Sequence, residues 1–365
     1  MALQCGIIGI ANVGKTTIFN CMSDTKGETS SFAFGASRSN IGIIHVPDKR
    51  LYELEKHQVT NKIVHTTVEI VDIPGLAKVS NKGEGVGNKF LGDIRNTDAL
   101  IHVLRCFDSE ALTHIDGSVD PVRDIETVTL ELQVKDLESV VKKTERLRKA
   151  AKSGNKDAIR GVEVLEQYRE HFEGFNDART MTVKDEDKKY IDDLFLLTMK
   201  PVMYVCNVDE KSALTGNQYV ERVTEYLAGK NAEIQVIAGA IEAEIAELEN
   251  IDDRKAFLKD IGLEEPGVDK LVRAAYRLLD LQTFFTVGPK EIRAWTIKKG
   301  MTASQAAGVI HSDLERGFIR AEVMKYNDFI TLGSEHACRE AGKLFIEGRN
   351  YVVADGDILH IRFNV

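Results

Sequence analysis

The chain has 365 residues, of which 43% are hydrophobic and 29% are charged. This length predicts two or three domains, each with its own core. No stretch approaches the roughly 18 consecutive apolar residues of a membrane-spanning helix, and the first residues lack the basic and apolar regions of a signal peptide. We therefore expect a cytoplasmic protein that does not associate with membranes. The formal net charge of −9 at pH 7 argues against polyanion binding by the whole protein surface, so any nucleic-acid contact needs a local basic patch.

The first predicted strand, over residues 3–8, leads directly into a glycine-containing loop. Residues 9–16 read GIANVGKT and match the pattern G-x-x-x-x-G-K-S/T. A helix is predicted over 15–23, so the loop has the preceding strand and the following helix that a phosphate-binding loop requires. Backbone N–H groups in such a loop point at phosphate oxygens. The sequence therefore predicts a site for a nucleoside triphosphate.

Two side chains of this loop carry the expected chemistry. Lys15 would place its ammonium group on the β- and γ-phosphates, and the Thr16 hydroxyl would ligate Mg²⁺. The backbone around them would hold the phosphate oxygens. The predicted phosphate contacts are Asn12, Val13, Gly14, Lys15, Thr16 and Thr17.

A second motif on the phosphate side follows the next predicted strands, at 41–46 and 63–71. Residues 72–75 read DIPG. Asp72 would hold a water of the Mg²⁺ shell, and the Gly75 N–H would approach the γ-phosphate. The next residue is Leu76, which cannot orient water as a glutamine does. Hydrolysis should therefore be slow or depend on another group.

Apolar runs at 100–104 and 202–206 predict two more buried strands, and the alternation of strands with helices indicates a mostly parallel α/β sheet. The long segment between these runs is charged and helix-periodic, with a break at 153–155. We therefore predict an inserted helical hairpin with coiled-coil packing, and we assign it to residues 125–198. Such a hairpin either packs against itself in solvent or serves as a docking arm.

The run NVDE at 207–210 lies where GTPases carry Asn-Lys-x-Asp. An aspartate pairs with N1–H and N2–H₂ of guanine, whereas adenine has an acceptor at N1. Val208 removes the lysine stem that packs on the base, and Glu210 displaces the carboxylate by one methylene. Guanine specificity should therefore be weakened. The pattern alone does not predict a preference for adenine.

The region from 281 onward alternates short strands with two short helices and predicts a compact α+β module. The predicted strands are 291–297, 318–323, 350–353 and 357–363, and the predicted helices are 302–311 and 335–345. Trp295 and Phe318 are available for stacking on bases or for the core of the module. Basic residues would form a face for ribosomal RNA, the candidates being Arg293, Lys298, Lys299, Arg316, Arg320, Lys325 and Arg349.

Taken together, these motifs resemble the YchF-type Obg-like ATPases of the translation-factor class of P-loop proteins. The resemblance runs from end to end. It rests on NVGKTT at 12–17, DIPGL at 72–76, KGEGVGN at 82–88, DIR at 93–95, VLRCF at 103–107 and RAWTI at 293–297.

The resemblance implies an OBG-type P-loop G domain over 1–280, interrupted by the 125–198 insertion, and a C-terminal TGS domain of β-grasp type over 281–365. It implies that ATP is preferred over GTP and that the protein associates with the ribosome. It also implies that His114 assists hydrolysis, a role that imidazole can fill near neutral pH. Ala36 stands where the family carries a metal-binding threonine.

We therefore predict an Mg²⁺-dependent ATPase that acts as a slow nucleotide switch at the ribosome. The predicted catalytic residues are His114 and Lys15, the metal ligands are Thr16 and Asp72, and the base-side residues are Asn207, Val208, Glu210 and Gly239. One alternative is a GTP-selective, ribosome-associated GTPase. Another is a binding protein in which nucleotide is a structural ligand and hydrolysis is incidental. We expect a monomer that does not bind DNA.

Overall fold

The computed structural model describes residues 3–23, 40–74 and 91–364. The chain divides into two compact units, Met1–Gly42 with Glu69–Lys270 and Ile43–Val68 with Leu271–Val365. Among the described residues, no helix is long and apolar enough to cross a membrane. The predictions made for Ala36, Gly75, Leu76 and the glycine-rich run at 82–88 lie outside the described residues.

Helices occur throughout the described part of the chain. They include α1 (Lys15–Met22), α2 (Lys49–His57), α3 (Pro121–Lys152), α4 (Lys156–Glu173), α5 (Gln218–Leu227), α6 (Gly239–Glu247), α7 (Ile251–Asp260), α8 (Gly267–Leu278), α9 (Ala303–Ile310), α10 (Ser312–Arg316), α11 (Tyr326–Leu332) and α12 (Glu335–Glu340), and residues 91–95 are helical as well.

The first sheet is built from β1 (Gln4–Ile8), β2 (Asn40–His45), β4 (Thr67–Asp72), β5 (Ala99–Cys106), β6 (Val202–Val208) and β7 (Glu233–Ile237), in the order β2-β4-β1-β5-β6-β7. β1 pairs in parallel with β4 and with β5, and β5, β6 and β7 continue the parallel pairing. Every residue of β5 is buried, because helices cover both faces of a central parallel strand. The prediction of a mostly parallel α/β sheet is confirmed.

The predicted helical hairpin is also confirmed. α3 and α4 are joined by a turn at Gly154, whose φ of 83° suits a residue without a side chain. Asn155 then caps α4 by accepting a hydrogen bond from the Ala158 N–H at 3.0 Å. Short 3₁₀ turns follow α4 and return along α3, where the Asp136 carboxylate accepts from the N–H groups of Leu197 (2.7 Å) and Thr198 (2.8 Å). The bounds 125–198 stay a prediction.

The second sheet contains β3 (Ile63–Val64), β8 (Leu281–Val287), β9 (Ile292–Lys298), β10 (Phe318–Met324), β11 (Leu344–Glu347) and β12 (Ile358–Phe363), in the order β11-β10-β12-β8-β9-β3. β8 and β9 are antiparallel, as are β10 and β12, whereas β8 and β12 are parallel. α9 packs its small residues against this sheet, in a core that includes Phe284, Phe318 and Leu359. This mixed sheet with short helices is the predicted β-grasp module.

Three local predictions were wrong. The segment 63–71 is not one strand, because β3 pairs with β9 and β4 pairs with β1. The helix predicted over 335–345 ends at Glu340, because Gly342 adopts φ 68° and turns the chain into β11. No strand forms at 350–353, where Val352 makes only an isolated bridge with Thr302.

Candidate functional site

The predicted phosphate loop lies between the end of β1 and the start of α1. Gly9 has φ 144°, and a Cβ there would lie 2.5 Å from the Val103 carbonyl oxygen on β5. Gly14 has φ 95° and directly precedes α1. Both positions therefore need glycine for conformation, and the unpaired N–H groups at the start of α1 are available to an anion.

Lys15 is held in place before any phosphate arrives. Its side chain is buried, and Nζ donates a hydrogen bond to the Ile10 carbonyl oxygen at 2.7 Å. Burial lowers the pKa of Lys15 to about 8, although the nearby Asp72 carboxylate opposes the change. A phosphate group would supply the negative charge that this buried ammonium lacks.

Asp72 ends β4 and meets the first turn of α1, because β4 and β1 are neighbours in register. Thr16 Oγ1 donates to Asp72 Oδ2 at 3.0 Å. Burial raises the pKa of Asp72, and the Thr16 hydrogen bond and the Lys15 charge oppose the rise. Asp72 Oδ1 is buried and has no hydrogen-bond partner among the described residues. One hydroxyl and one carboxylate thus converge, as an oxygen-preferring cation such as Mg²⁺ requires.

Asn207 occupies the end of β6 and uses both ends of its amide within the protein. Nδ2 donates to the Val13 carbonyl oxygen at 2.9 Å, and Oδ1 accepts from the Gly239 N–H at 2.9 Å. Its side chain is buried. Asn207 therefore braces the phosphate loop against the start of α6, and its main contacts are structural.

The other predicted base-side residues lie in different surroundings. Val208 is buried in the hydrophobic core with Val223 and Ile241, so its side chain is not open to a nucleotide. Glu210 is exposed and begins a 3₁₀ turn. Gly239 begins α6 and offers backbone only. Side-chain contacts to a base are therefore fewer on this side than the sequence pattern predicts.

His114 lies in the loop between β5 and α3 and is buried. Its Nδ1 accepts a hydrogen bond from the Asp116 N–H at 3.1 Å. Its Nε2 lies 3.1 Å from Asp124 Oδ2 in the first turn of α3. The neighbouring carbonyl oxygen of Thr113 accepts a hydrogen bond from Asn12 Nδ2 at 3.3 Å. The His114 loop and the phosphate loop are thus in direct contact.

The sequence reasoning missed three polar residues around this site. His102 faces Ile8 across the β1–β5 pairing, and burial, together with the Lys15 charge, lowers its pKa to about 3. Arg105 is fully buried and donates to the carbonyl oxygens of Phe107 (3.1 Å) and Leu112 (2.8 Å). Asp124, the third, holds His114. Two polar residues inside the apolar run ALIHVLRC were a usable signal, because buried charges need partners.

The basic residues predicted to form an RNA face are largely engaged within the C-terminal module. Arg293 stacks over the Trp295 ring, at 4.1 Å from its centroid. Lys325 donates to Asp357 at 2.7 Å, and Arg316 donates to Asp313 at 2.6 Å. Phe318 is buried in the core and not available for stacking. A continuous basic face is therefore not evident among the described residues.

Comparisons with known proteins agree with this geometry. Residues 4–149 match the family model described as "50S ribosome-binding GTPase", and residues 281–364 match YchF-GTPase_C, described as "Protein of unknown function (DUF933)". The chain is 47% identical to the "Ribosome-binding ATPase YchF" of Bacillus subtilis (strain 168) and 43% identical to that of Escherichia coli O157:H7, each over the whole of both chains.

A solved structure gives the same result in three dimensions. The Schizosaccharomyces pombe YchF GTPase superimposes with a TM-score of 0.86 at 31% identity, covering 99% of this chain and 97% of that one. The phosphate loop, the inserted hairpin and the C-terminal β-grasp module are therefore all accounted for by one architecture. The chain belongs to the YchF family.

Proposed function

We propose that this protein hydrolyses ATP to ADP and phosphate at the phosphate loop and works as a slow nucleotide switch on the ribosome. The observation that carries the proposal is the buried Lys15 ammonium beside the Thr16–Asp72 pair, at a helix N-terminus built to accept phosphate. The Bacillus subtilis and Escherichia coli relatives carry the name ribosome-binding ATPase, whereas the Schizosaccharomyces pombe structure is named a GTPase. Such a partner also implies a cytoplasmic location.

Two side-chain groups suit a magnesium ion bound with the nucleotide. Thr16 would ligate the ion, and Asp72 would accept a hydrogen bond from a water molecule bound to it. Asp72 Oδ1 suits this role because it has no hydrogen-bond partner among the described residues. The ion would neutralise charge on the β- and γ-phosphates. Lys15 and the backbone N–H groups of 12–17 would bind and orient the same phosphates, and Lys15 would stabilise the charge that develops there.

We assign to His114 the role of assisting the attacking water in ATP hydrolysis. The γ-phosphate is attacked by water, so the new bond joins the water oxygen to phosphorus as the bond to the β-phosphate oxygen breaks. An imidazole near neutral pH can orient the water and take its proton. In support of this assignment, the Asn12 side chain donates a hydrogen bond to the Thr113 carbonyl oxygen, so the His114 loop lies beside the phosphate loop.

On the base side, we assign the preference for ATP to backbone contacts near Gly239 and to the exposed surroundings of Glu210. Asn207 supports this region by accepting a hydrogen bond from the Gly239 N–H. Val208 contributes through its backbone, since its side chain lies in the core. We also keep the domain division 1–280 and 281–365, with β8 starting at Leu281, as part of the proposal.

Calorimetric titration of nucleotide-free protein with ATP and with GTP, in the presence of Mg²⁺, tests the proposal. We expect tighter binding of ATP, followed by slow release of phosphate in a steady-state assay. Tighter binding of GTP would favour the GTPase alternative. Binding without any phosphate release, with or without ribosomes, would favour the structural-ligand alternative. Omitting Mg²⁺ should weaken binding and stop hydrolysis.

A further inference from the structure

Both ring nitrogens of His114 are already occupied. Nδ1 accepts from a backbone N–H, so it carries no proton, and the proton must lie on Nε2 and be donated to Asp124. The two side chains are 3% and 2% exposed. A ring in this arrangement has no nitrogen left to orient a water molecule.

The backbone that carries His114 is fixed close to the phosphate loop. Arg105 donates to the carbonyl oxygens of Phe107 and Leu112 and thereby shapes the loop after β5. Asn12 donates to the Thr113 carbonyl oxygen at the other end of this loop. The backbone is therefore anchored beside the nucleotide site, while the imidazole is bound to the first turn of α3.

The Asp124 carboxylate that binds the imidazole is buried, and its Oδ1 has no hydrogen-bond partner among the described residues. Asp124 lies in the first turn of α3, where the helix dipole favours an anion, and its N–H donates to the Asp120 carbonyl oxygen at 3.1 Å. The Arg123 guanidinium lies 3.7 Å from its Oδ1. His114, Asp116 and Asp124 offer ligand atoms within 4.8 Å of one another, but Arg123 already supplies a positive charge, so this cluster does not require a metal ion.

We propose that Asp124 is a positioning residue that holds His114 in an inactive orientation and thereby keeps basal ATP hydrolysis slow. The inference rests on the proposed catalytic role of His114. Hydrolysis then requires the buried hydrogen bond to Asp124 to break so that the ring can turn toward the phosphate loop. The Asn12–Thr113 contact gives nucleotide at the phosphate loop a physical connection to this rearrangement.

The test compares steady-state ATPase activity of the full-length protein with that of Asp124→Ala, His114→Ala and the double variant. We expect Asp124→Ala to raise kcat about tenfold, since one buried hydrogen bond no longer has to break, and to leave KM within about twofold. The double variant should show no rise over His114→Ala. Asp136→Ala is the matched control, because it removes another buried aspartate of α3 that caps Leu197 and Thr198 far from His114 in the chain. It should leave kcat unchanged.

The outcomes separate this proposal from the proposed function. If His114→Ala leaves kcat unchanged, the catalytic assignment of His114 fails, and the inference fails with it. If His114→Ala lowers kcat but Asp124→Ala also lowers it, Asp124 orients an active imidazole and the proposed holding role is wrong. An unchanged kcat in Asp124→Ala contradicts it too.

A second measurement does not depend on a variant that folds. Nitrogen NMR of the unaltered protein labelled with ¹⁵N-histidine reports the tautomer of each imidazole. We expect His114 in the nucleotide-free protein to carry its proton on Nε2 alone. A rapidly averaged mixture of tautomers would overturn the proposal, because it would mean that Asp124 does not hold the ring.

Discussion

The phosphate side and the base side of the nucleotide site differ in how many side chains are available to the nucleotide. On the phosphate side, Thr16 donates to Asp72, and the charge of the Asp72 carboxylate acts on the buried ammonium of Lys15. On the base side, Asn207 is engaged by the protein and Val208 lies in the core. Because every nucleoside triphosphate presents the same phosphates, the phosphate side can use side chains in fixed positions. We therefore propose that base selectivity comes from backbone groups and from exposed side chains.

The largest expected effect comes from Lys15→Ala, which tests whether the phosphate side dominates affinity. Removing a buried cation from its phosphate partners should weaken ATP binding by about 100-fold, or about 3 kcal/mol. Calorimetric titration measures the change. Lys143→Ala is the control, because Lys143 donates to the Tyr190 carbonyl oxygen within the insertion at 2.6 Å and should not alter affinity. A loss of ATP affinity below about threefold would show that the phosphate side does not dominate binding.

The next effect is a dependence on pH that originates on the same side. Because burial lowers the pKa of Lys15 to about 8, its charge is present at lower pH and is lost as pH rises through that value. ATP binding should therefore weaken by about tenfold between about pH 7 and about pH 9, with proton uptake on binding. Titrations in two buffers of different ionisation enthalpy measure the uptake. Lys15→Arg stays charged throughout this range, so its affinity should not show this decline.

Asn207→Ala distinguishes a brace from a base-reading residue. Loss of two buried hydrogen bonds to Val13 and Gly239 should weaken ATP and GTP binding by the same factor, about fivefold. Asn217→Ala is a matched control, since Asn217 caps α5 through the Tyr219 N–H at 3.0 Å and should cost stability without changing affinity. Selective loss of ATP binding would show that Asn207 reads the base.

The smallest effect is expected from Glu210→Ala. Its carboxylate is exposed, so its interactions are screened by solvent, and the ratio of GTP to ATP affinity should change by at most about threefold. Competition of GTP against bound ATP measures the ratio. Glu221→Ala, on the exposed side of α5, provides the baseline. A tenfold loss of GTP binding would indicate that Glu210 pairs with guanine.

The same contrast explains what could be predicted from the sequence. The phosphate loop, β1 and α1 follow from local rules, because glycine conformation, helix start and strand periodicity lie within one short segment. The Asn207 brace could not be predicted, since it depends on Val13 and Gly239, which are distant in the chain. The split of 63–71 into β3 and β4 was missed for a related reason, because partner strands and not local composition decide where each strand pairs.

The loop that holds His114 shows most clearly which contacts could not be predicted from the sequence. Arg105 within an apolar run was a usable signal that was missed, and its partners are backbone carbonyl oxygens, which no side-chain pattern identifies. Asp124 belongs to no motif of the sequence and lies one residue before the predicted insertion. Only the folded chain brings it against the imidazole.

The Asp136 carboxylate has a consequence for how the insertion opens. It joins the middle of α3 to the turn at Leu197 and Thr198, so the first helix of the hairpin and the segment that returns to the sheet share one buried contact. The amide protons of Leu197 and Thr198 should therefore exchange with solvent as slowly as those in the core of α3, and much more slowly than those of a surface turn. In exchange experiments the hairpin and its return segment should behave as a single cooperative unit.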